Sequence, residues 1–258
     1  MKLGMISWIK EENFAMVKDK GLEFIELCVN SRAEEFLANV ENIKKYSEQY
    51  DIPVQSVGRW GIDHISKEGI CTDELKRDYE MLDATAALGC SIYVTGCNYV
   101  EELSYYENCT LAITYFEKLI AYAQKYNIRI ATYNCRWNNF VCDPMAYKVI
   151  HGYLKDLYIK YDTSHCIYAG GDYLQEARDW ADRFVHVHLK GALVIDGKRF
   201  DDPPAGMDMT NRPAFLAILY ANGYDGGLSI EPHSANWSGE LGDKGLNKTI
   251  EYFKSIML

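Results

Sequence analysis

The sequence has no excess of basic residues and no long apolar run. Lysine and arginine together number 27, against 37 aspartates and glutamates, which gives a formal net charge of −10. Surfaces that bind nucleic acid need clustered positive charge, so this balance argues against a nucleic-acid partner. The opening residues, MKLGMISWIKEEN, lack the apolar segment of a signal peptide, and no window approaches about 18 consecutive apolar residues. We therefore predict a cytoplasmic protein with no membrane partner.

Three other patterns are missing. None of the eight cysteines forms a CxxC pair, so we expect reduced thiols, several of them buried, and not a disulfide framework. No glycine fingerprint follows the first apolar run, which disfavours a doubly wound dinucleotide-binding sheet. No linker rich in proline, glycine or serine interrupts the chain. Residues 1–258 are therefore expected to form one domain, and their number is typical of a (β/α)8 barrel.

Eight short apolar runs, most of them rich in Ile, Val, Leu, Tyr or Phe, are typical of buried parallel strands. They cover residues 2–7, 24–29, 53–57, 91–96, 129–133, 157–162, 184–188 and 227–231. Apolar residues at spacings of three and four predict helices over 33–50, 73–88, 111–126 and 213–222. Gly21, Gly89 and Gly223 follow helical stretches, where a left-handed residue ends a helix. The alternation predicts an α/β fold, a single (β/α)8 TIM barrel, with an open doubly wound sheet as the alternative.

Polar residues stand at the ends of the last three predicted strands: Asp162, His188 and Glu231. The C-terminal ends of barrel strands converge on one opening, so we expect these side chains to share one divalent metal, with donor atoms within about 5 Å of a common point. Their oxygen and nitrogen atoms suit Mn²⁺, Zn²⁺, Co²⁺ or Mg²⁺, and three ligands leave positions open for water or substrate. His186 lies one layer deeper and is predicted to be a hydrogen-bonded core histidine.

Each of these ligand candidates also has a purely structural alternative. Asp162 could cap the loop that follows it, and His188 could hydrogen-bond within the barrel mouth. Glu231 could pair with Lys190 or Arg136. Placement of all three at consecutive strand ends favours the metal site over these separate roles.

Tryptophans recur in the predicted mouth loops, namely Trp8, Trp60 and Trp137. Indole rings beside polar groups suit a small sugar-like substrate, because its C–H faces stack on aromatic rings while its hydroxyls need donors and acceptors. Large aromatic side chains can equally cap the top of a barrel core. The predicted substrate-binding residues are Trp8, Trp60, Tyr133, Arg136 and Trp137.

Four motifs in the C-terminal half carry a family resemblance: YDTSH, HVHLKG, PPAGMDMTNRPAFLAIL and NGYDGGLSIEP. In their order and spacing the chain resembles the xylose isomerase-like sugar phosphate isomerase/epimerase superfamily of TIM barrels. The resemblance implies that Asp162, His188 and Glu231 bind a divalent metal. It also implies that His165, three residues after the aspartate, contacts the substrate.

The chain departs from that family at the end of the fifth strand. A metal-binding glutamate is usual there, whereas this sequence reads RIATYNCRW and places Tyr133 at that point, followed by Asn134. A tyrosine with an ordinary pKa near ~10 is a poor base at neutral pH. Asn134 could supply an amide oxygen to the metal instead. Loss of one anionic ligand predicts weak metal binding and a pocket wall formed by Tyr133 and Trp137.

The resemblance implies a metal-dependent isomerase, epimerase or related lyase acting on a small sugar, sugar phosphate or polyol derivative through an enediolate-type intermediate. Glu231 would move the proton, and Lys190 or His165 would stabilise the enediolate oxygen. The alternative is a sugar-binding barrel that lost catalysis with the strand-five glutamate. A DNA-repair endonuclease of the same fold would need more metal ligands and a basic face, which six histidines and the acidic balance disfavour. A homo-oligomer is compatible with the sequence.

Overall fold

Eight parallel strands close into a barrel in the computed structural model, which describes residues 1–258. In chain order, β1 to β8 are Lys2–Ser7, Ile25–Cys28, Val54–Arg59, Ile92–Thr95, Arg129–Tyr133, Leu157–Asp162, Phe184–Leu189 and Gly227–Ile230. Each strand pairs with its neighbours in sequence, and β1 pairs with β8 to close the barrel. The predicted (β/α)8 fold is confirmed. Every predicted strand lies within two residues of the observed bounds.

Helices surround the barrel. The helices α1 to α10 are Glu11–Asp19, Ala33–Ala38, Val40–Tyr50, Thr72–Ala87, Tyr105–Ala123, Pro144–Ala146, Thr163–Tyr168, Tyr173–Trp180, Arg212–Ala221 and Gly239–Ile256. Short 3-10 or π-helical turns at Gln124–Tyr126, Tyr147–His151 and Ala181–Arg183 extend α5, α6 and α8. Two hairpins lie outside the barrel, Ile65–Ser66 with Gly69–Ile70 and Leu193–Ile195 with Lys198–Asp201. None of these helices combines the length and the apolar character needed to cross a bilayer.

Two predicted helices differ from the observed ones for local reasons. The prediction over 33–50 becomes α2 and α3, because the side-chain amide of Asn39 donates to the carbonyl of Glu35 at 2.8 Å and competes with helix continuation. The prediction over 111–126 begins too late. Ser104 and Glu107 form a reciprocal capping box that starts α5 six residues earlier.

The inside of the barrel is divided into an apolar half and a polar half. Side chains alternate in direction along a strand, so every second residue points inward. Inward-facing apolar residues come mainly from β4, β5 and the end of β3, and they include Ile92, Val94, Ala131, Tyr133 and Trp60. The buried or partly buried polar residues on the other side are Glu26, Lys160, Asp162, His186, His188 and Glu231. The fold thus collects titratable groups from β2, β6, β7 and β8 in one half of the barrel.

Candidate metal and substrate site

The three predicted ligand residues lie together at the C-terminal end of the barrel. Asp162 ends β6 and pairs in register with His188 of β7, while Glu231 directly follows β8. One donor atom from each residue lies within 4.8 Å of the others. Asp162 and His188 are completely buried, whereas the Glu231 side chain remains 17% exposed at the opening. The strand ends therefore bring the three groups to one point, as the sequence predicts.

The two oxygens of Asp162 have different surroundings. Oδ1 accepts a hydrogen bond from the backbone N–H of Ser164 at 2.8 Å and so caps α7. Oδ2 is buried and accepts no hydrogen bond. Only Lys190 Nζ and His165 Nε2 approach it, each at 3.4 Å. Oδ1 therefore has the capping role that the structural alternative predicts, while Oδ2 accepts no hydrogen bond and is a candidate metal ligand.

His188 is held by a buried carboxylate on its far side. Its Nε2 lies 2.7 Å from Glu26 Oε2, and its Nδ1 lies 3.1 Å from Glu231 Oε2. Glu26 also binds His186 Nε2 at 2.8 Å, so His186 is the hydrogen-bonded core histidine that the sequence predicts. A carboxylate behind a metal-binding histidine fixes the ring and increases its basicity. Glu26 therefore aims Nδ1 of His188 toward Asp162 and Glu231.

Electrostatics keep these acidic groups ionised. Burial opposes the charge on Glu26, but His188 and His186 outweigh it and hold the pKa of Glu26 well below its usual range. Burial likewise disfavours charge on Asp162 and Glu231, yet Lys190 outweighs it and lowers the pKa of both carboxyls. A buried oxygen that is anionic and lacks a hydrogen bond is a strong attractor for a cation. The donor set fits a divalent metal in this respect.

Lys190 neutralises the two carboxylates. Its Nζ donates to His165 Nε2 at 3.2 Å and lies 3.4 Å from Asp162 Oδ2 and 3.6 Å from Glu231 Oε2. Burial and the Lys190 ammonium outweigh the attraction of Asp162 and lower the pKa of His165 to about 4, so His165 is a neutral acceptor at pH 7. A divalent cation must compete with this ammonium for Asp162 and Glu231. That competition supports the expectation of weakly bound metal.

A cleft opens directly above these groups. Its volume is about 200 Å³, and it is open to solvent at its mouth, so a small ligand can enter. Residues on its wall include Trp60, Tyr133, Trp137, Lys160, His165, Lys190 and Glu231. Trp137 is 56% exposed and packs over Gly61, where φ is +76° and a Cβ would meet the indole at 2.6 Å. The predicted aromatic wall therefore exists on the β3 and β5 side.

Tyr133 faces the cleft but its hydroxyl is occupied. The Oη donates to the carbonyl of Trp137 at 2.9 Å and accepts from the N–H of Gly61 at 3.2 Å. Burial raises the pKa of Tyr133 above its usual value. Both facts make it a structural brace between two mouth loops and remove it as a base. It stands in β5 beside Lys160 of β6, its partner in register.

Three sequence-based expectations need correction. Trp8 does not line the cleft; it is 43% exposed and covered by the guanidinium of Arg32 at 3.2 Å. Arg136 is exposed and does not line the cleft; it lines an adjoining depression beside α8, and His165 lies on the wall of both. Asn134 is not free to bind a metal. Its side-chain oxygen accepts a hydrogen bond from the backbone N–H of Asp162 at 2.9 Å, and its side-chain nitrogen donates one to the backbone carbonyl of Asp162 at 2.8 Å.

Two inward-facing charged residues escaped the sequence analysis. Glu26 lies between Ile25 and Leu27 in β2, and Lys160 lies two residues before Asp162 in β6. Glu26 is the single charged residue of β2, and Lys160 alternates with Asp162 in a β6 whose other residues are Leu, Ile and Tyr. That pattern is the signal that could have found them, since period two places a single charge of this kind inside the barrel.

The PPAGMD motif builds the loop after β7. Asp208 accepts from the N–H groups of Gly206 and Ala192 at 3.0 Å and pairs with Arg212 at 2.9 Å. Arg212, which is fully buried, donates to the carbonyl of Lys190 at 2.7 Å. The motif therefore fixes the backbone of Lys190 and has a structural role at some distance from the cleft.

Similar proteins identify the fold independently. A search of curated proteins gives no significant match to the sequence. A 3-keto-D-glucoside 4-epimerase from E. coli is 18% identical, with a TM-score of 0.77 over 99% of both chains. A D-allulose 3-epimerase from Methylomonas sp., in complex with D-allulose, is 17% identical, with a TM-score of 0.79 over 99% of this chain and 97% of that one. At these identities the structures establish a shared fold.

The family assignment comes from a sequence model. The model of the xylose isomerase-like TIM barrel matches residues 14–256, nearly the whole chain. This match agrees with the closed barrel and with the positions of Asp162, His188 and Glu231 at its mouth. The chain belongs to the xylose isomerase-like TIM barrel family.

Proposed function

We propose that this protein is a metal-dependent isomerase or epimerase, or a related lyase, that acts on a small sugar derivative. The observation that carries the proposal is the buried Oδ2 of Asp162, which accepts no hydrogen bond and lies with His188 and Glu231 donor atoms within 4.8 Å beside an open cleft. Family membership supports it, as do the names of similar structures, which describe sugar epimerases. The metal, the substrate and the reaction remain part of the proposal.

Asp162, His188 through Nδ1, and Glu231 would hold the cation. A divalent cation bound there would polarise a substrate carbonyl and adjacent hydroxyl and so acidify the neighbouring C–H bond. Glu231 Oε1 makes no hydrogen bond and would accept the proton. Lys190, which donates to His165 in the absence of substrate, would donate instead to the oxygen that becomes negative.

The cleft has a single carboxylate on its wall. Glu231 is the only acidic residue that lines it, and Tyr133 on the opposite side is braced by Gly61 and Trp137. An epimerisation that uses two carboxylates, one on each face of the substrate, would lack the second carboxylate here. The arrangement favours removal and return of a proton on one face, as in an aldose–ketose isomerisation, or removal followed by loss of a leaving group.

Hydrogen–deuterium exchange tests the proposal most simply. Wild-type protein loaded with Mn²⁺, Co²⁺ or Mg²⁺ would be incubated with a panel of ketoses and sugar acids in D₂O and followed by NMR. We expect C–H exchange that requires metal and is abolished by Glu231→Gln. The matched variant Glu240→Gln, which removes an exposed carboxylate in α10, should leave exchange unchanged. Ligand binding without exchange by any panel member would instead support the sugar-binding alternative.

A further inference from the structure

Lys160 is a buried cation without a partner. The residue is 3% exposed, yet its side chain lines the cleft. Its ammonium makes no hydrogen bond, and no carboxylate lies within salt-bridge distance of it, whereas Lys190 on the same wall has three polar neighbours. Its one direct compensating contact is the ring of Trp60, whose centroid lies 5.3 Å from Nζ, while Asp162 and Glu231 attract the charge only from beyond salt-bridge distance.

A buried ammonium group with no hydrogen bond and no ion pair destabilises the fold. Removing a charge from water is costly unless a partner compensates for it, and buried lysines are ordinarily paired. Asp162 and Glu231 are the carboxylates whose pKa the Lys160 charge helps to lower, but neither lies within salt-bridge distance of it and both are paired with Lys190. Lys160 is therefore positioned for a group that enters the cleft from outside.

We propose that Lys160 binds an anionic oxygen group of the substrate, so that the substrate is an acidic sugar derivative. This inference deepens the proposed function, since it takes the cleft to be the active site. In register with Tyr133, Lys160 stands on the β5–β6 wall, beside the Glu231 and Lys190 pair. The anion would lie near Lys160 and Trp60, and the reacting carbons would lie near Glu231.

The residues that line the cleft indicate which kind of anion would bind. Lys160 is the one unpaired lysine of the cleft wall, because Lys190 is shared between Asp162 and Glu231. No arginine lines the cleft. A phosphate monoester carries a charge of about −1.5 to −2 on three acceptor oxygens and needs more donors than one ammonium supplies, whereas a carboxylate carries a single charge. We therefore expect a carboxylate to bind better than a phosphate ester.

Calorimetric titration with matched sugars tests this selectivity. The probes are D-glucose with D-glucuronate, D-xylose with D-xylonate and D-fructose with D-fructose 6-phosphate, measured with Mn²⁺ present and after EDTA treatment. We expect at least one carboxylate to bind tenfold or more tightly than its neutral partner. Lys160→Gln should remove that preference and leave neutral sugars within twofold. Lys198→Gln, a loss of charge at an exposed site, should change neither.

Two results would overturn the proposal: no acidic probe binds better than its neutral partner, or the preference survives in Lys160→Gln. Preference for the phosphate ester alone would identify phosphate as the anion and would retain the role of Lys160. Acid-selective binding without any C–H exchange would refute the proposed catalysis and leave this inference intact. If neutral and acidic ketoses exchange at equal rates and bind with equal affinity, the proposed catalysis stands and the role of Lys160 is refuted.

Thermal unfolding of the ligand-free protein gives a second readout that needs no substrate. Lys160→Met removes an unpaired buried charge, so its Tm should equal or exceed that of the wild type. Lys190→Met removes a charge that neutralises Asp162 and Glu231, so its Tm should fall. If Lys160→Met lowers Tm as much as Lys190→Met does, Lys160 stabilises the fold and the proposal is wrong.

Discussion

Asp78 and Asp162 are both completely buried aspartates, yet their surroundings differ. Asp78 lies in α4, outside the barrel, and its carboxylate accepts hydrogen bonds from Arg59 at 2.8 Å, Tyr93 at 2.7 Å and Tyr115 at 2.8 Å. Asp162 lies at the barrel mouth, and its Oδ2 accepts none. A carboxylate whose oxygens are all occupied serves the fold. One with a free oxygen beside a cleft is available to a ligand.

The same comparison extends to the cations of the two regions. Arg59 is paired with both Asp78 and Glu74, so its charge is fully compensated. At the mouth, Lys190 is shared between two carboxylates, and Lys160 has no partner at all. Buried charges that are matched specify packing, while unmatched ones persist where a ligand compensates for them. The polar half of the barrel belongs to the second kind.

The largest expected effect is on stability, at Asp78. Asp78→Ala leaves Arg59 with one partner and two buried tyrosine hydroxyls with none. We expect the free energy of unfolding to fall by about 3–5 kcal/mol, measured by urea denaturation at pH 7. Metal affinity of the folded fraction should not change. A loss below about 1 kcal/mol would mean that the Asp78 cluster is not a structural element.

Asp162→Asn should have little effect on stability and a large effect on metal affinity, the opposite of Asp78→Ala. The amide can still cap α7 through Oδ1, Oδ2 has no hydrogen bond to lose, and Lys190 keeps Glu231 as an ionic partner, so the free energy of unfolding without metal should fall by no more than about 1.5 kcal/mol. Affinity for Mn²⁺ or Zn²⁺ should fall at least 100-fold, about 2.7 kcal/mol, because an anionic ligand is lost. Calorimetric titration measures this directly. Unchanged affinity would place the cation elsewhere.

Glu26→Gln tests whether Glu26 supports the metal site through His188 without being a ligand itself. Glu26 touches no cleft atom and acts through His188, whose ring it orients at 2.7 Å. We expect metal affinity to fall about 10–100-fold, the usual cost of removing a carboxylate behind a ligating histidine. Ser56→Ala, which removes only a 3.4 Å contact to His186, is the matched control and should change affinity little. Equal effects of the two variants would contradict an orienting role.

The smallest effect is expected at Tyr133, where the chain departs from the family pattern. Tyr133→Glu adds a carboxylate to the cleft wall beside Lys160, the partner of this position in register. Binding of Mn²⁺ or Zn²⁺ should tighten about tenfold, about 1.4 kcal/mol. Tyr133→Gln, similar in size and uncharged, should not reproduce it. If a folded Tyr133→Glu variant binds metal like the wild type, the strand-five position does not contribute to the site.

Much of the fold could be predicted from the sequence, because parallel strands buried on both faces leave continuous apolar runs. The eight strands follow from this pattern, and Gly21, Gly89 and Gly223 adopt the expected positive φ at helix ends. Helices α1, α8 and α10 were not predicted. They carry few apolar residues, as the exposed outer faces of barrel helices require, and their apolar positions show only when the barrel is in place.

The site could be predicted only in part. Asp162, His188 and Glu231 converge because topology alone brings strand ends together. Arg59 also ends a strand, β3, yet its side chain points outward to Asp78 and away from the cleft. The predictions that Trp8 and Arg136 line the cleft were wrong for a related reason. The position of a residue in a loop locates its backbone near the barrel mouth but does not determine the direction of its side chain.

Diffraction from crystals soaked in Mn²⁺, recorded at the manganese absorption edge, tests the central claim most directly. The account predicts one anomalous peak at the barrel mouth, about 2.0–2.3 Å from Asp162 Oδ2, His188 Nδ1 and a Glu231 oxygen. The peak should be missing from Asp162→Asn crystals soaked in the same way. No peak in the wild type, with Lys190 Nζ still bridging the two carboxylates, or a peak that does not touch Asp162, would contradict it.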